Sequence, residues 1–111
     1  MITITKGITI LTLINVFTVA PAKQQELITL LTRATDSSVR HVPGFISASL
    51  HRSLDGTKVT MYAQWRSIED YQAMRQNAAA APYLQQALAI ATFDPGMYNV
   101  AETFVASEKR A

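Results

Sequence analysis

The run from Pro43 to Tyr71, PGFISASLHRSLDGTKVTMYAQWRSIEDY, constrains the fold more than any other part of the chain. Two segments rich in alternating apolar and β-branched residues, Phe45 to Ser53 and Thr57 to Arg66, flank Leu54-Asp55-Gly56. An Asp-Gly pair between such segments signals a tight hairpin. On the second strand Val59, Met61, Ala63 and Trp65 share one face, and Thr60, Tyr62, Gln64 and Arg66 the other. On the first, strict alternation puts Phe45, Ser47, Ser49 and His51 opposite Ile46, Ala48 and Leu50. Ser67 followed by Asp70 reads as a loose capping box, so the hairpin runs straight into a helix.

The flanking sequence completes the pattern. Ile8 to Val19 is apolar on both of its faces, Ile10, Thr12, Ile14, Val16, Thr18 and Leu11, Leu13, Asn15, Phe17, Val19, as expected of a central strand covered on both sides. Pro21 suits a first helical position, and Leu27, Leu30, Leu31 and Ala34 continue at helical spacing to about Arg40. Val42-Pro43-Gly44 stops that helix. After the capped helix, which Asn77 ends, Pro82 opens another lined by Leu84, Ala87, Leu88 and Ala91. Asp94-Pro95-Gly96 is a turn, and Met97 to Val105 a last strand. The order β-α-β-β-α-(α)-β predicts an α+β, ferredoxin-like split βαβ domain: a four-stranded antiparallel sheet with helices on one face. Residues 8–105 form this domain, with an N-terminal extension at 1–7 and a polar tail at 106–111.

Of 111 residues, 49% are hydrophobic and only 16% charged, which leaves a lone domain with too much apolar surface. Because the strands are apolar on both sides, the expected remedy is a homodimer in which two sheets pack face to face. The net charge of +2 is spread without a basic stripe, so nucleic acid is not an expected partner. No cysteine is present, which excludes disulfides and thiolate chemistry and fits a cytoplasmic protein. Lys6 before ITILTLINVFTVAPA imitates a signal peptide, but Thr12, Asn15 and Thr18 within the run favour a strand. No apolar run is long enough to make a membrane span expected.

Few routes to chemistry remain. No Gly-rich phosphate loop follows the first strand, and no Gly-x-Ser-x-Gly elbow is present. His41 and His51 have no metal-ligand spacing, so no metal is expected. His41, at a helix end, reads as structural. What remains is a pocket between sheet and helices in which Trp65 offers a flat wall for a planar ligand or, equally, a core anchor. Tyr71 can carry a hydroxyl into the same space, Asn15 places an amide on an apolar strand face, and His51 is useful only as a base near neutral pH. Lys58, Arg66 and Arg75 read as solvated charges.

The segments VPGF, HRSLDGTKVTMYAQWRSIEDY and FDPGMYNV, in this order of elements, resemble the antibiotic biosynthesis monooxygenase family, over roughly residues 8–105. The run around Trp65 is most similar to the branch that oxidises anthrones in aromatic polyketide pathways. The resemblance implies a homodimer with one pocket per subunit, a small aromatic substrate of phenol, anthrone or quinol type, and dioxygen as co-substrate with no other cofactor. It implies catalytic roles for Asn15, Trp65, Tyr71 and His51, with Phe17, Met61, Met74 and Leu84 as substrate contacts. Met61 departs from the pattern, since anthrone-oxidising members usually carry asparagine there, and Gln85 stands nearest a helix arginine of one branch. Haem-degrading relatives place an iron-ligating histidine on the helix after the tryptophan strand, where this chain has Tyr71, Met74 and Arg75. The alternative reading is a non-catalytic dimer that binds an apolar small molecule.

Overall fold

The structure, a computed structural model, describes residues 10–76 and 78–107. The expected N-terminal extension and Ile8, the helix stop at Asn77, and the end of the polar tail lie outside the described residues. Strand β1 (Leu11–Val19) buries Leu11, Leu13, Phe17 and Val19 along one face. A 3-10 turn at Pro21–Lys23 leads into α1 (Gln24–Ser37), and another follows at Val39–His41. The single helix expected to about Arg40 is therefore broken at Ser38, whose backbone (φ −139°, ψ −67°) leaves the helical region. Just before the break the Ser37 hydroxyl donates to the Arg33 carbonyl, the local competition by which serine weakens a helix end.

Strands β2 (Phe45–Arg52) and β3 (Lys58–Trp65) form the hairpin. At its turn the Asp55 carboxylate accepts from the Thr57 N–H (3.0 Å) and from the hydroxyls of Thr57 and Ser53, each at 2.8 Å. These bonds to the charged form, the backbone one first, hold its pKa at about 2. Gln24 ties the hairpin base to α1 by donating to the carbonyls of Ser53 (3.1 Å) and Lys58 (3.0 Å). Helix α2 (Ile68–Arg75) starts at Ser67, whose Oγ accepts the Asp70 N–H at 3.1 Å. The Asp70 carboxylate takes hydrogen bonds from Arg66 (2.9 and 3.2 Å) and Ser67 (2.9 Å), which lower its pKa. Gly44 lies against this carboxylate at φ +90°, where any side chain would collide with Asp70.

Helix α3 (Ala81–Ile90) runs directly into a strand absent from the sequence reading, β4 (Ala91–Asp94). The expected last strand from Met97 to Val105 is reduced to β5 (Met97–Tyr98), and 99–107 carry no regular structure. Among the described residues the antiparallel sheet thus has five strands rather than four, in the order β2-β3-β1-β4 with β5 also on β1. Asp94 lies opposite Val16 and Met97 opposite Leu13, which is one continuous register. β4 and β5 are therefore a single edge strand interrupted at Pro95-Gly96, where proline has no N–H for the ladder.

All three helices cover the face of β1 that holds Leu11, Leu13, Phe17 and Val19. One core cluster joins Phe17, Val19 and Val59 to Leu27, Leu30 and Leu31 of α1 and Ala87 of α3. The other joins Leu11, Leu13, Ala63 and Trp65 to Tyr71 of α2. A β-bulge between Phe45 and Ser47 corrects the expected facing of β2. Phe45 pairs with Trp65 on the helix side, whereas Ser47, Ser49 and His51 pair with Gln64, Tyr62 and Thr60 on the opposite side.

Candidate active site

Between the two core clusters lies a cavity of about 320 Å³, within the usual range for small-molecule sites. Its floor is the helix-facing surface of β1 and β3, with Leu13, Asn15 and Phe17 beside Met61, Ala63 and Trp65. Tyr71, Met74 and Arg75 descend from α2, Leu84 and Leu88 from α3, and Phe93 closes one end. Period-two alternation selects the floor residues. The spacing Tyr71, Met74, Arg75 puts the α2 residues on one helix face.

Trp65 is 1% exposed, with the Phe45 ring edge-on at 5.3 Å and the Tyr71 ring tilted at 6.0 Å. The capped first turn of α2, with its Tyr71 N–H on the Ser67 carbonyl at 3.3 Å, sets that ring against the indole. Phe93 stacks on Phe17 at 4.8 Å, which pins β4 to β1 and makes the far wall aromatic as well.

Asn15 is the amide on this floor, directly opposite Met61 in the β1–β3 register. Its Oδ1 accepts the Gly96 N–H at 3.3 Å, while the Gly96 carbonyl oxygen accepts the Ile14 N–H at 3.0 Å and so continues the ladder. Only the oxygen of an amide can accept from N–H, so this contact fixes which end is which and leaves Nδ2–H₂ as the donor available to the cavity. A Cβ at Gly96 would fall 2.5 Å from the Tyr98 ring and 3.0 Å from the Ile14 carbonyl oxygen, so a side chain there would have to push the half-exposed Tyr98 ring aside.

The cavity therefore collects Asn15, Trp65 and Tyr71 together with Phe17, Met61, Met74 and Leu84. It does not collect His51, which is exposed on the opposite side of the sheet with its Nε2 2.8 Å from the Ser49 Oγ. His41 contacts the Asp36 carbonyl at 3.0 Å, consistent with a helix-end role. Sequence reasoning missed Phe93, which lay outside any expected strand, and Arg75, read as a solvated charge although its spacing from Tyr71 already placed it on the same helix face. A larger and more open depression of about 410 Å³ follows the free edge of β2. It has little claim to be the site, since its charges, Arg40 and Asp36, satisfy each other at 2.7 Å. Among the described residues no cluster of His, Asp and Glu is placed to hold a metal ion, and no helix is long and apolar enough to cross a membrane.

Residues 10–86 match the antibiotic biosynthesis monooxygenase family, and the chain belongs to it. It is 40% identical over 107 residues to tetracenomycin-F1 monooxygenase of Streptomyces glaucescens, covering 96% of each chain. It is 30% identical to the monooxygenase ActVA-Orf6 of Streptomyces coelicolor, solved in complex with nanaomycin D, covering 89% of this chain and 94% of that one with a TM-score of 0.75. The fold is shared with SnoaB, a cofactor-independent oxygenase from Streptomyces nogalater, in an N63A variant, at 23% identity and a TM-score of 0.75, with 86% of this chain and 96% of that one covered.

Proposed function

We propose that this protein is a monooxygenase that oxidises a polycyclic phenol or anthrone of the polyketide type with dioxygen and no other cofactor. The observation that carries the reading is the convergence of Asn15, Trp65 and Tyr71 on one aromatic-walled cavity. The 40% identity to tetracenomycin-F1 monooxygenase over nearly the whole chain supports it. Trp65 and Phe93 confine the rings, and the Asn15 amide and Tyr71 hydroxyl donate to the ring oxygen as it gains charge. Loss of a ring C–H proton gives an enolate, which passes one electron to dioxygen. The substrate radical and superoxide combine at carbon to a peroxide, which takes up a proton and loses water to leave the quinone carbonyl. One oxygen atom ends in product and one in water, with all electrons drawn from the substrate.

Neither carboxylate nor imidazole lines the cavity among the described residues, so the first proton leaves to water at the mouth rather than to His51. The protein's contribution is positioning, exclusion of bulk water and stabilisation of the enolate. Purified protein treated with chelator and freed of flavin is expected to consume one dioxygen per anthrone oxidised, with one labelled oxygen in the quinone when ¹⁸O₂ is supplied. A rate no greater than that of the protein-free solution sinks the reading, and ligand binding without oxygen uptake favours the non-catalytic binder, whose supporting feature is the Met61 thioether beside Asn15.

The same reading includes a cytoplasmic homodimer paired through the outer sheet face. Ile14, Val16 and Tyr62 lie half-buried on that face, and Phe104 and Val105 of the terminal segment are 88% and 94% exposed. Both surfaces suit a second copy of this chain. Sedimentation equilibrium at micromolar concentration is expected to give twice the 12.2 kDa chain mass, and a single-chain mass refutes the pairing.

A further inference from the structure

Arg75 is the only formally charged side chain among the described residues that line the cavity. It ends α2, one helical turn beyond Tyr71, where a cation also suits the helix dipole. The dipole alone does not explain why Arg75 borders an apolar, aromatic-walled space. Nearby acids do not neutralise it. On its own helix Asp70 is engaged by Arg66, on α1 Asp36 is engaged by Arg40, and Glu69 makes no ion pair among the described residues. Among the described residues no carboxylate lines the cavity. An arginine without an acidic partner among the described residues, at the exposed rim of such a space, favours negative charge in whatever fills it.

We propose that Arg75 is the specificity-determining contact for an anionic oxygen substituent, a carboxylate above all, carried by the aromatic substrate. The guanidinium offers a planar fork that matches a carboxylate through two parallel hydrogen bonds. The two ends of the ligand are then recognised by different chemistry. Asn15 and Tyr71 serve the reacting oxygen, and Arg75 holds the acidic substituent and with it the direction in which the rings enter.

The inference rests on the aromatic-substrate reading above, and the test separates the two. Trp65 is the sole tryptophan and lines the cavity, so quenching of its fluorescence reports an aromatic ligand directly. The probes are anthraquinone-2-carboxylate and its neutral carboxamide, titrated against wild type, Arg75→Gln and Arg75→Lys. The carboxylate is expected to bind wild type about tenfold more tightly than the carboxamide, the ratio of one charge-assisted contact near solvent. That preference is expected to vanish in Arg75→Gln, to return in part in Arg75→Lys, and to shrink with added salt. Arg75 is exposed at a helix end, so neither variant disturbs the core. Equal affinities in wild type, or a preference that survives Arg75→Gln, overturn the role of Arg75 and leave the aromatic cavity standing. Failure of both probes to quench Trp65 overturns the inference and the aromatic-substrate reading together.

Discussion

Replacing Trp65 with alanine is expected to destabilise the protein by about 3–5 kcal/mol, the cost of removing a large aromatic side chain from a packed core. The indole is 1% exposed and joins Leu11, Leu13, Ala63 and Tyr71 in one of the two core clusters. Its edge-on contact with Phe45 fixes the start of β2, and its contact with Tyr71 fixes α2. Removing it therefore loosens the junction of three elements rather than one contact. For a domain of this size such a loss corresponds to a fall in melting temperature of roughly 12–20 °C. Urea unfolding followed by far-ultraviolet circular dichroism measures it without relying on the missing fluorophore. A loss below about 1 kcal/mol, the scale of a typical surface change, would show that the indole is not a packing centre.

Trp65→Phe separates that structural role from the proposed one. Phenylalanine keeps a ring against Phe45 and Tyr71, and its stability cost should be near the usual 0.5–3 kcal/mol of a single substitution. If the indole is also a wall of the substrate cavity, the shortened ring leaves space beneath a bound polycycle. KM for the anthrone then rises more than stability alone explains. An unchanged KM would make Trp65 a core residue only.

The sequence reading succeeded where periodicity was unbroken. β1 and β3 alternate without a bulge, so placing Asn15, Phe17, Met61 and Trp65 on one face followed from period two alone. It went astray where a tertiary contact decided the outcome. The bulge at Phe45–Ser47 adds one residue, reverses the facing of everything after it, and carries no glycine or proline to announce it. Strict alternation from Phe45 would have turned His51 toward the helices; the bulge turns it to the opposite side. Ile90 to Phe93 had a strand's composition, but Ala91 also continued the helical spacing of Leu84, Ala87 and Leu88. The choice was made by the stack of Phe93 on Phe17, two residues far apart in the chain. Arg75 was legible in principle, because the roll that brings Tyr71 inward brings Arg75 with it. Its charge concealed it, since a lysine or arginine on a short helix usually belongs to solvent.

Asn15→Ala is expected to lower kcat for anthrone oxidation by about 10²–10³-fold, the usual cost of losing one donor to a developing oxyanion. This fall alone does not identify the role, because alanine also abandons Gly96. The lost hydrogen bond to the Gly96 N–H should cost about 0.5–1.5 kcal/mol of stability, and the edge strand would shift beside the cavity. Asn15→Asp divides the two effects. An aspartate oxygen still accepts the Gly96 N–H, so the strand interruption at Pro95-Gly96 stays in place and stability should lie near wild type. The ionised carboxylate has no hydrogen to donate, and it sets a negative charge against a substrate oxygen that must itself become negative. If Nδ2 is the catalytic donor, Asn15→Asp is at least as inactive as Asn15→Ala while remaining the more stable of the two. If the amide matters only as the anchor of Gly96, Asn15→Asp recovers most of the activity that alanine loses, and the donor role fails. The directly opposed Met61 sharpens the comparison, because its thioether supplies no alternative donor on that part of the floor.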